Sequence, residues 1–195
     1  MRLPAVERRR QLLDVARDVF AETGFHATAM DDIAAVAGVT KPVLYHHFTN
    51  KRALFCELLD DVGTQLLEEL NRATGPAPTG RARVEDGFKA YFRFVTTNPA
   101  AFRLLFGAAV RNDPEFAQRA EAALESAALV ISKMIDLPVD DDHRLVLAHA
   151  IVGMAEATSR RSIAGDDPEM HHDPDTLATW LAELAWFGLR GVRSE

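Results

Sequence analysis

Cysteine is nearly missing from this 195-residue chain: Cys56 stands alone, so no internal disulfide can form and a CxxC metal or redox site is excluded. Long apolar runs are missing too. No stretch reaches the roughly 18 uncharged apolar residues that would suggest a transmembrane helix. The opening residues, Met1 to Arg8, hold no apolar segment suited to a secretory signal. Together these absences lead to the expectation of a cytoplasmic protein without a membrane partner. Nowhere does the chain show the strict apolar/polar alternation of half-buried strands. It has no internal repeat, no low-complexity tract and no glycine-rich phosphate loop, so no cofactor is expected.

What the chain does have is helical periodicity and a hydrophobic content of 48%, enough to build a core. Leu12, Leu13, Ala16, Val19 and Phe20 share one helical face, which ends at Thr23-Gly24. Leu54, Leu58, Val62, Leu66 and Leu70 form a second, broken at Gly75-Pro76, and Val84, Phe88, Tyr91, Phe92 and Val95 a third. Asn98-Pro99, Asp113-Pro114 and Asp173-Pro174 each set a capping residue before a proline, which marks a helix start. Further periodic segments run over 115–135, 143–163 and 176–189. The fold class is therefore expected to be all-α, with about nine helices. Net charge is −7, unevenly spread. Residues 1–52 carry eight Lys/Arg and six Asp/Glu, while the remainder carries 22 − 8 = 14 basic and 29 − 6 = 23 acidic residues. A mildly basic head on an acidic body suits a protein that touches phosphate with one end only.

The segment from Thr28 to Phe48 is the informative one. A short helix is expected over 30–37, with Ile33, Ala34 and Ala37 facing inward and Thr28 near its N-cap. Gly38 follows where a tight turn needs positive φ. Thr40 can cap a second short helix with Lys41-Pro42 in its first turn, anchored by Val43, Leu44 and Phe48. Helix, glycine-centred turn and helix make a helix-turn-helix, whose second helix enters the major groove. Its outward residues would be Thr40, Lys41, Pro42, Tyr45 and His46, groups suited to phosphate contact and base-edge readout. Thr28 and Lys51 could each meet a phosphate as well. His47 reads as structural. Arg8-Arg9-Arg10 is either a phosphate-seeking arm or a solvated helix start.

These residues resemble the N-terminal domain of the TetR family of bacterial transcriptional regulators. The resemblance is carried by Leu12-Leu13 through Val19-Phe20-Ala21, Gly24-Phe25, Met30-Asp31-Asp32-Ile33-Ala34 and Ala37-Gly38-Val39-Thr40-Lys41. It continues through Leu44-Tyr45-His46-His47-Phe48 and Lys51-Arg52-Ala53-Leu54. It implies DNA contact at Thr28, Thr40, Lys41, Tyr45, His46 and Lys51. A position that is often small in the family is Pro42 here. It also implies a division into a three-helix DNA-binding domain over 1–52 and a larger helical effector-binding and dimerisation bundle over 53–195. The implied function is a sequence-specific regulator, a repressor released by a small apolar or amphipathic ligand, without enzymatic activity.

In that bundle, Phe88, Tyr91, Phe92, Phe102, Phe106, Met134, Met154 and Trp180 are candidates to line a ligand cavity, plain core being the alternative for each. Leu147, Ile151, Met154, Leu177, Leu181, Leu184 and Gly188 are candidates for a homodimer interface, with Trp180 and Phe187 on a neighbouring face. Such a dimer would read a near-palindromic double-stranded operator. The competing class is a ferritin-like helical enzyme or metal carrier. Its support is His143, His149 and one Glu-x-x-His, Glu169 to His172, near His171, Asp166, Asp167 and Asp173; the second copy such a site requires is missing, so no metal is expected.

Overall fold

A computed structural model describes residues 4–162 and 172–190 of the chain. Ten helices and no strand occur among the described residues: α1 (Ala5–Thr23), α2 (Met30–Val36), α3 (Lys41–His47), α4 (Lys51–Thr74), α5 (Gly80–Thr97), α6 (Pro99–Phe106), α7 (Ala108–Asn112), α8 (Pro114–Ser132), α9 (Asp141–Ser162) and α10 (Pro174–Arg190). Residues 1–3, the 166–171 part of the acidic and histidine-bearing stretch, and the side chain of Leu189 lie outside the described residues.

Local chemistry explains most of the boundaries. Gly24 ends α1 at φ 81° while its N–H bonds the Phe20 carbonyl. Gly38, at φ 65°, makes the turn between α2 and α3. All three X-Pro signals begin helices. Two of them also cap: Asp113 Oδ1 accepts the N–H groups of Glu115 and Phe116, and Asp173 Oδ1 those of Asp175 and Thr176. Asn98 instead donates from its side chain back to the Phe94 carbonyl, closing α5 rather than opening α6. The five-residue α7 has no periodic signature of its own in the sequence.

The helices gather into two compact units. The first comprises Met1–Val62 and Pro99–Ala120. Its core gathers the predicted face of α1 with Ile33, Leu44, Phe48, Leu54, Leu58 and Leu59, all at most 3% exposed apart from Leu13 and Val19 at 7% and 9%. At its centre Phe20, Phe25, Phe55 and Phe116 pack ring against ring at centroid distances of 4.6–5.1 Å, and Phe20 and Phe25 lie 6.0 Å apart. Helix α6 packs on α1 and buries Phe102 and Phe106. Arg52 forks onto Asp113 at 2.7 and 2.8 Å and reaches Glu115 at 2.5 Å. Cys56 is buried beside Glu115, and burial pushes its thiol up, as suits a small core residue.

The second unit comprises Gly63–Asn98 and Glu121–Glu195. Helix α5 packs along α10 and also meets α9, with Phe88, Tyr91, Phe92, Phe94 and Val95 buried. Arg93 pairs with Asp175 at 3.0 Å and Glu125 with His149 at 2.6 Å. Gly63 lies in the middle of α4 against α8, where a Cβ would sit 2.7 Å from that of Ala123. In an open helix, Gly→Ala gains about 1 kcal/mol, but overpacking costs about 1–3 kcal/mol. Gly63→Ala is therefore expected to lower stability in urea titration, and Ala123→Gly on that background to recover part of the loss. A gain of stability in the single variant would show that α4 and α8 can separate freely.

Candidate nucleic-acid interface and ligand cavity

In the first unit, α2 and α3 are two short helices joined through Gly38. The first carries no side-chain cap from Thr28; its N-cap is Ala29, whose N–H is taken by Asp32 Oδ2 at 2.8 Å. Thr40 occupies the N-cap of α3, with Pro42 in the first turn, though its hydroxyl makes no capping bond. Leu44 and Phe48 anchor α3 at 0% and 3% exposure. Val43, expected to join them, is 38% exposed because a seven-residue helix offers too few turns to bury both neighbours. The outward face therefore carries Thr40, Lys41, Pro42, Val43, Tyr45 and His46, all exposed. His47 is half-buried, and burial followed by the charges of His46 and the nearby arginines lowers its pKa.

Two residues assigned to phosphate contact by resemblance are engaged internally. Thr28 is 2% exposed, and its hydroxyl bonds the Gly24 carbonyl at 2.7 Å and meets Thr23 Oγ1 at 2.5 Å. Lys51 turns its ammonium onto the carbonyls of Phe25 at 2.7 Å, Thr28 at 2.8 Å and His26 at 3.3 Å, over the Phe25 ring. Together they tie the loop before α2 to the start of α4. The basic start of α1 is likewise occupied. Arg8 bonds Gln11, and Arg10 pairs with Asp14 and Asp61, which hold its guanidinium firmly charged.

Arg9 has a role the sequence did not suggest. Its guanidinium lies over Phe48, donates to the His47 carbonyl at 2.6 Å and pairs with Glu57 at 2.5 Å, so a cation closes the C-terminal end of α3. Its partners lie 38 and 48 residues away in sequence, and no local pattern announces them. Lys41 also has a partner, Asp31 on α2, at 2.9 Å, yet both side chains are more than half exposed. Every described Lys and Arg up to Arg52 thus has an intramolecular partner. Lys51→Ala should lower the stability of the DNA-free protein by about 2 kcal/mol, the worth of a charge-assisted hydrogen bond. Thermal unfolding without DNA measures this, and an unchanged midpoint would return Lys51 to a purely phosphate-directed role.

The second unit encloses a cavity of about 530 Å³. Its walls are Leu66, Leu70 and Thr74 of α4; Gly80, Arg83, Val84, Gly87, Phe88 and Tyr91 of α5; Leu124, Ala127, Val130 and Ile131 of α8; Met134 to Leu137 beyond it; Ile151, Val152 and Ala155 of α9; and Trp186 of α10. Of the expected lining residues, Phe88, Tyr91 and Met134 are present. Phe92 is fully buried away from it, Phe102 and Phe106 belong to the first unit, Met154 is half-buried outside it, and Trp180 is 52% exposed. Aromatic spacing predicts burial but cannot separate cavity wall from solid core. Burial pushes the Tyr91 phenol up to about 12, against the neighbouring Ser159 hydroxyl, which lowers it.

The expected interface residues also divide. Leu177 is buried and Ile151 faces the cavity; Leu147, Met154 and Leu181 are half-buried; Leu184 and Gly188 are exposed. The apolar stripe that α10 turns outward is Trp180, Leu184 and Phe187, at 52, 58 and 61% exposure. No group of three or more metal-ligating side chains occurs among the described residues, and no helix there is long and apolar enough to cross a membrane.

Residues 12–58 match the family described as bacterial regulatory proteins, tetR family, and residues 81–188 match the tetracyclin repressor-like C-terminal domain. The chain is 31% identical over 193 residues to the transcriptional activator FasR of Mycolicibacterium smegmatis, covering 98% of this chain and 87% of the relative. A TetR-like transcriptional regulator from Rhodococcus sp. RHA1 superimposes with a TM-score of 0.77 at 29% identity, covering 98% of this chain and all of the other. The fold is shared also with FadR of Bacillus subtilis, solved in complex with stearoyl-CoA, with a TM-score of 0.76 at 18% identity over 94% of this chain and 99% of that one. With a helix-turn-helix of matching order and both family domains present, the chain belongs to the TetR family of helix-turn-helix transcriptional regulators.

Proposed function

We propose that residues 1–52 read a near-palindromic operator and that residues 53–195 bind an effector and form the homodimer. The carrying observation is the exposed face of α3. Thr40, Lys41, Pro42, Tyr45 and His46 all project from a helix whose opposite side is locked by Leu44, Phe48 and Arg9. A short rigid helix with polar tips is what major-groove readout needs. Thr28 and Lys51 serve it from within, holding the loop that positions α2. The protein acts in the cytoplasm, without catalysis or cofactor, and the ferritin-like alternative has no support in a chain of this family.

Lys41 is the phosphate contact of this reading, and Asp31 is its competitor in the free protein. Lys41→Ala should weaken operator binding and reduce the slope of log affinity against log salt by about one unit. Asp31→Asn should do the reverse and tighten binding a few-fold, because it frees the ammonium and removes a negative charge facing phosphate. Mobility-shift titration over a range of salt, with DNA from the gene's own neighbourhood, reads both variants. Unchanged affinity and slope in both would remove Lys41 from the interface.

The dimer is built on Trp180, Leu184 and Phe187 of α10, beside the exposed small residues Ala150, Gly153 and Ala157 of α9. An amphipathic helix needs only one apolar stripe for its own core; here Leu177, Ala178, Ala182 and Ala185 supply it, and the second stripe needs a partner. Two-fold pairing of α9 and α10 would set the two α3 helices to reach grooves about 34–36 Å apart, or a multiple of that. Sedimentation at micromolar concentration should show a dimer for the native chain and a monomer for Leu184→Glu or Phe187→Glu. A native monomer refutes the arrangement.

The effector occupies the cavity of the second unit, whose volume lies within the roughly 300–1,000 Å³ of ligand sites and whose walls are mainly apolar. An apolar or amphipathic ligand fits it. The stearoyl-CoA bound by the FadR neighbour is one amphipathic compound held by this fold. We assign the chain as a repressor released by its ligand, so DNA and effector weaken each other reciprocally. Its FasR relative is named an activator, and a reporter assay with and without the regulator decides the sign here.

A further inference from the structure

Resting on the reading of this cavity as the effector site, we infer that it selects an apolar ligand ending in an anionic head, and that Arg83 is the residue that reads the head. The shape comes first. From Gly80 to Tyr91 the wall follows α5 over twelve residues, about 16 Å at 1.5 Å of rise per residue. A ligand whose apolar body lies along this wall can bring its polar end to the first turns of α5.

The polarity comes next. Thr74 donates its hydroxyl to the Leu70 carbonyl, while the buried hydroxyls of Tyr91 and Ser159 make no hydrogen bond among the described residues. Two charged side chains remain on the wall, Arg83 and Asp136. Asp136 is exposed on the segment after α8, whereas Arg83 is partly buried. Among the described residues the Arg83 guanidinium makes no ion pair and no hydrogen bond, although Glu85 and Asp86 follow it on the helix and the rest of the cavity wall is mainly apolar.

Arg83 stands at the fourth residue of α5, close to the positive end of the helix dipole, where an anion is favoured and a cation is not. The first turn holds no acidic residue to offset it. Arg81, on the same turn, is paired with Glu85; Arg83 is left over. An anionic ligand there would gain from both the guanidinium and the helix end.

Glycine spacing on the same face supports this. Gly80 and Gly87 flank Arg83 along the cavity side of α5. Gly87 lies inside the helix, where glycine costs about 1 kcal/mol against alanine. No clash demands it: a Cβ there would meet only Thr74 Cγ2, at 3.4 Å, an ordinary contact. The missing side chain is therefore space kept open beside Arg83.

The test uses the full-length protein and three amphiphiles of one chain length, tetradecanoate, tetradecanol and tetradecylamine, each below its micelle concentration, titrated calorimetrically. The native protein should prefer the carboxylate over the alcohol by about tenfold or more, the worth of a charge-assisted hydrogen bond. In Arg83→Gln that preference should collapse towards unity while alcohol binding stays. Gly87→Leu should lose the carboxylate and the alcohol together, with its unfolding temperature unchanged or raised, which separates a filled slot from a damaged fold. Equal binding of carboxylate and alcohol by the native protein, or a preference kept in Arg83→Gln, overturns the role of Arg83 and leaves the cavity reading standing. A preference for the amine points to Asp136 and also overturns it. Binding of none of the three overturns the inference and the cavity reading together.

Discussion

The first unit depends on four phenylalanines. Phe20 comes from α1, Phe25 from the loop that follows it, Phe55 from α4 and Phe116 from α8, and their rings close on one another within 4.6–6.0 Å. Aromatic pairs of this kind add about 0.5–1.5 kcal/mol each beyond the area they bury. The cluster also organises polar groups. Lys51 lies over Phe25 at 4.6 Å and Arg52 over Phe116 at 4.7 Å, so two consecutive side chains at the start of α4 each use a ring as a platform. From there Lys51 gathers the carbonyls of the loop before α2, and Arg52 gathers the carboxylates that open α8. The orientation of the helix-turn-helix follows from the packing of rings it does not itself contain.

Charge in this unit is arranged for internal use. The basic excess of the first 52 residues would suggest a cationic surface waiting for phosphate, but the structure spends those charges on Glu57, Asp61, Asp31, backbone carbonyls and the Asp113–Glu115 pair. Pairs as exposed as Lys41–Asp31 are worth little to stability, so they can be exchanged for another anion without harm to the fold. Arg9 and Lys51, which bond backbone carbonyls, are of a different kind: breaking them would leave those carbonyls without their partners.

Where a feature is local in sequence, it was legible there. Gly24 and Gly38 adopt the positive φ their positions suggested, and Asp113-Pro114 and Asp173-Pro174 start and cap helices as their chemistry requires. The buried face of α1 coincides with its periodic residues; that of α5 does so except at Val84, which lines the cavity, and with Phe94 buried in addition. What depends on distant partners was not legible. Lys51 appears in sequence as a free cation after a recognition helix, and only the return of the loop at 25–28 shows what it holds. Phe102 and Phe106 have the spacing of a cavity wall but pack in the other unit, because periodicity reports that a face is buried and never against what. Trp180 was open to two readings, a cavity wall or an outward face of the last helix, and its 52% exposure leaves it out of the cavity.

Asp113 performs two tasks with one carboxylate: it accepts two backbone N–H groups at the head of α8 and receives both arms of the Arg52 fork. Arg52 first, and then the helix amides, hold its carboxyl below the usual carboxylate range. Its support is present at neutral pH and disappears only as pH falls through that lowered value, cap and ion pair together. The position therefore has a very small chemical alphabet. Asparagine could keep the cap but would lose the charge, and glutamate would keep the charge but reach too far to cap its own helix. Serine or threonine would cap and leave Arg52 with Glu115 alone. One substitution at residue 113 therefore reaches a helix start and an ion pair at once.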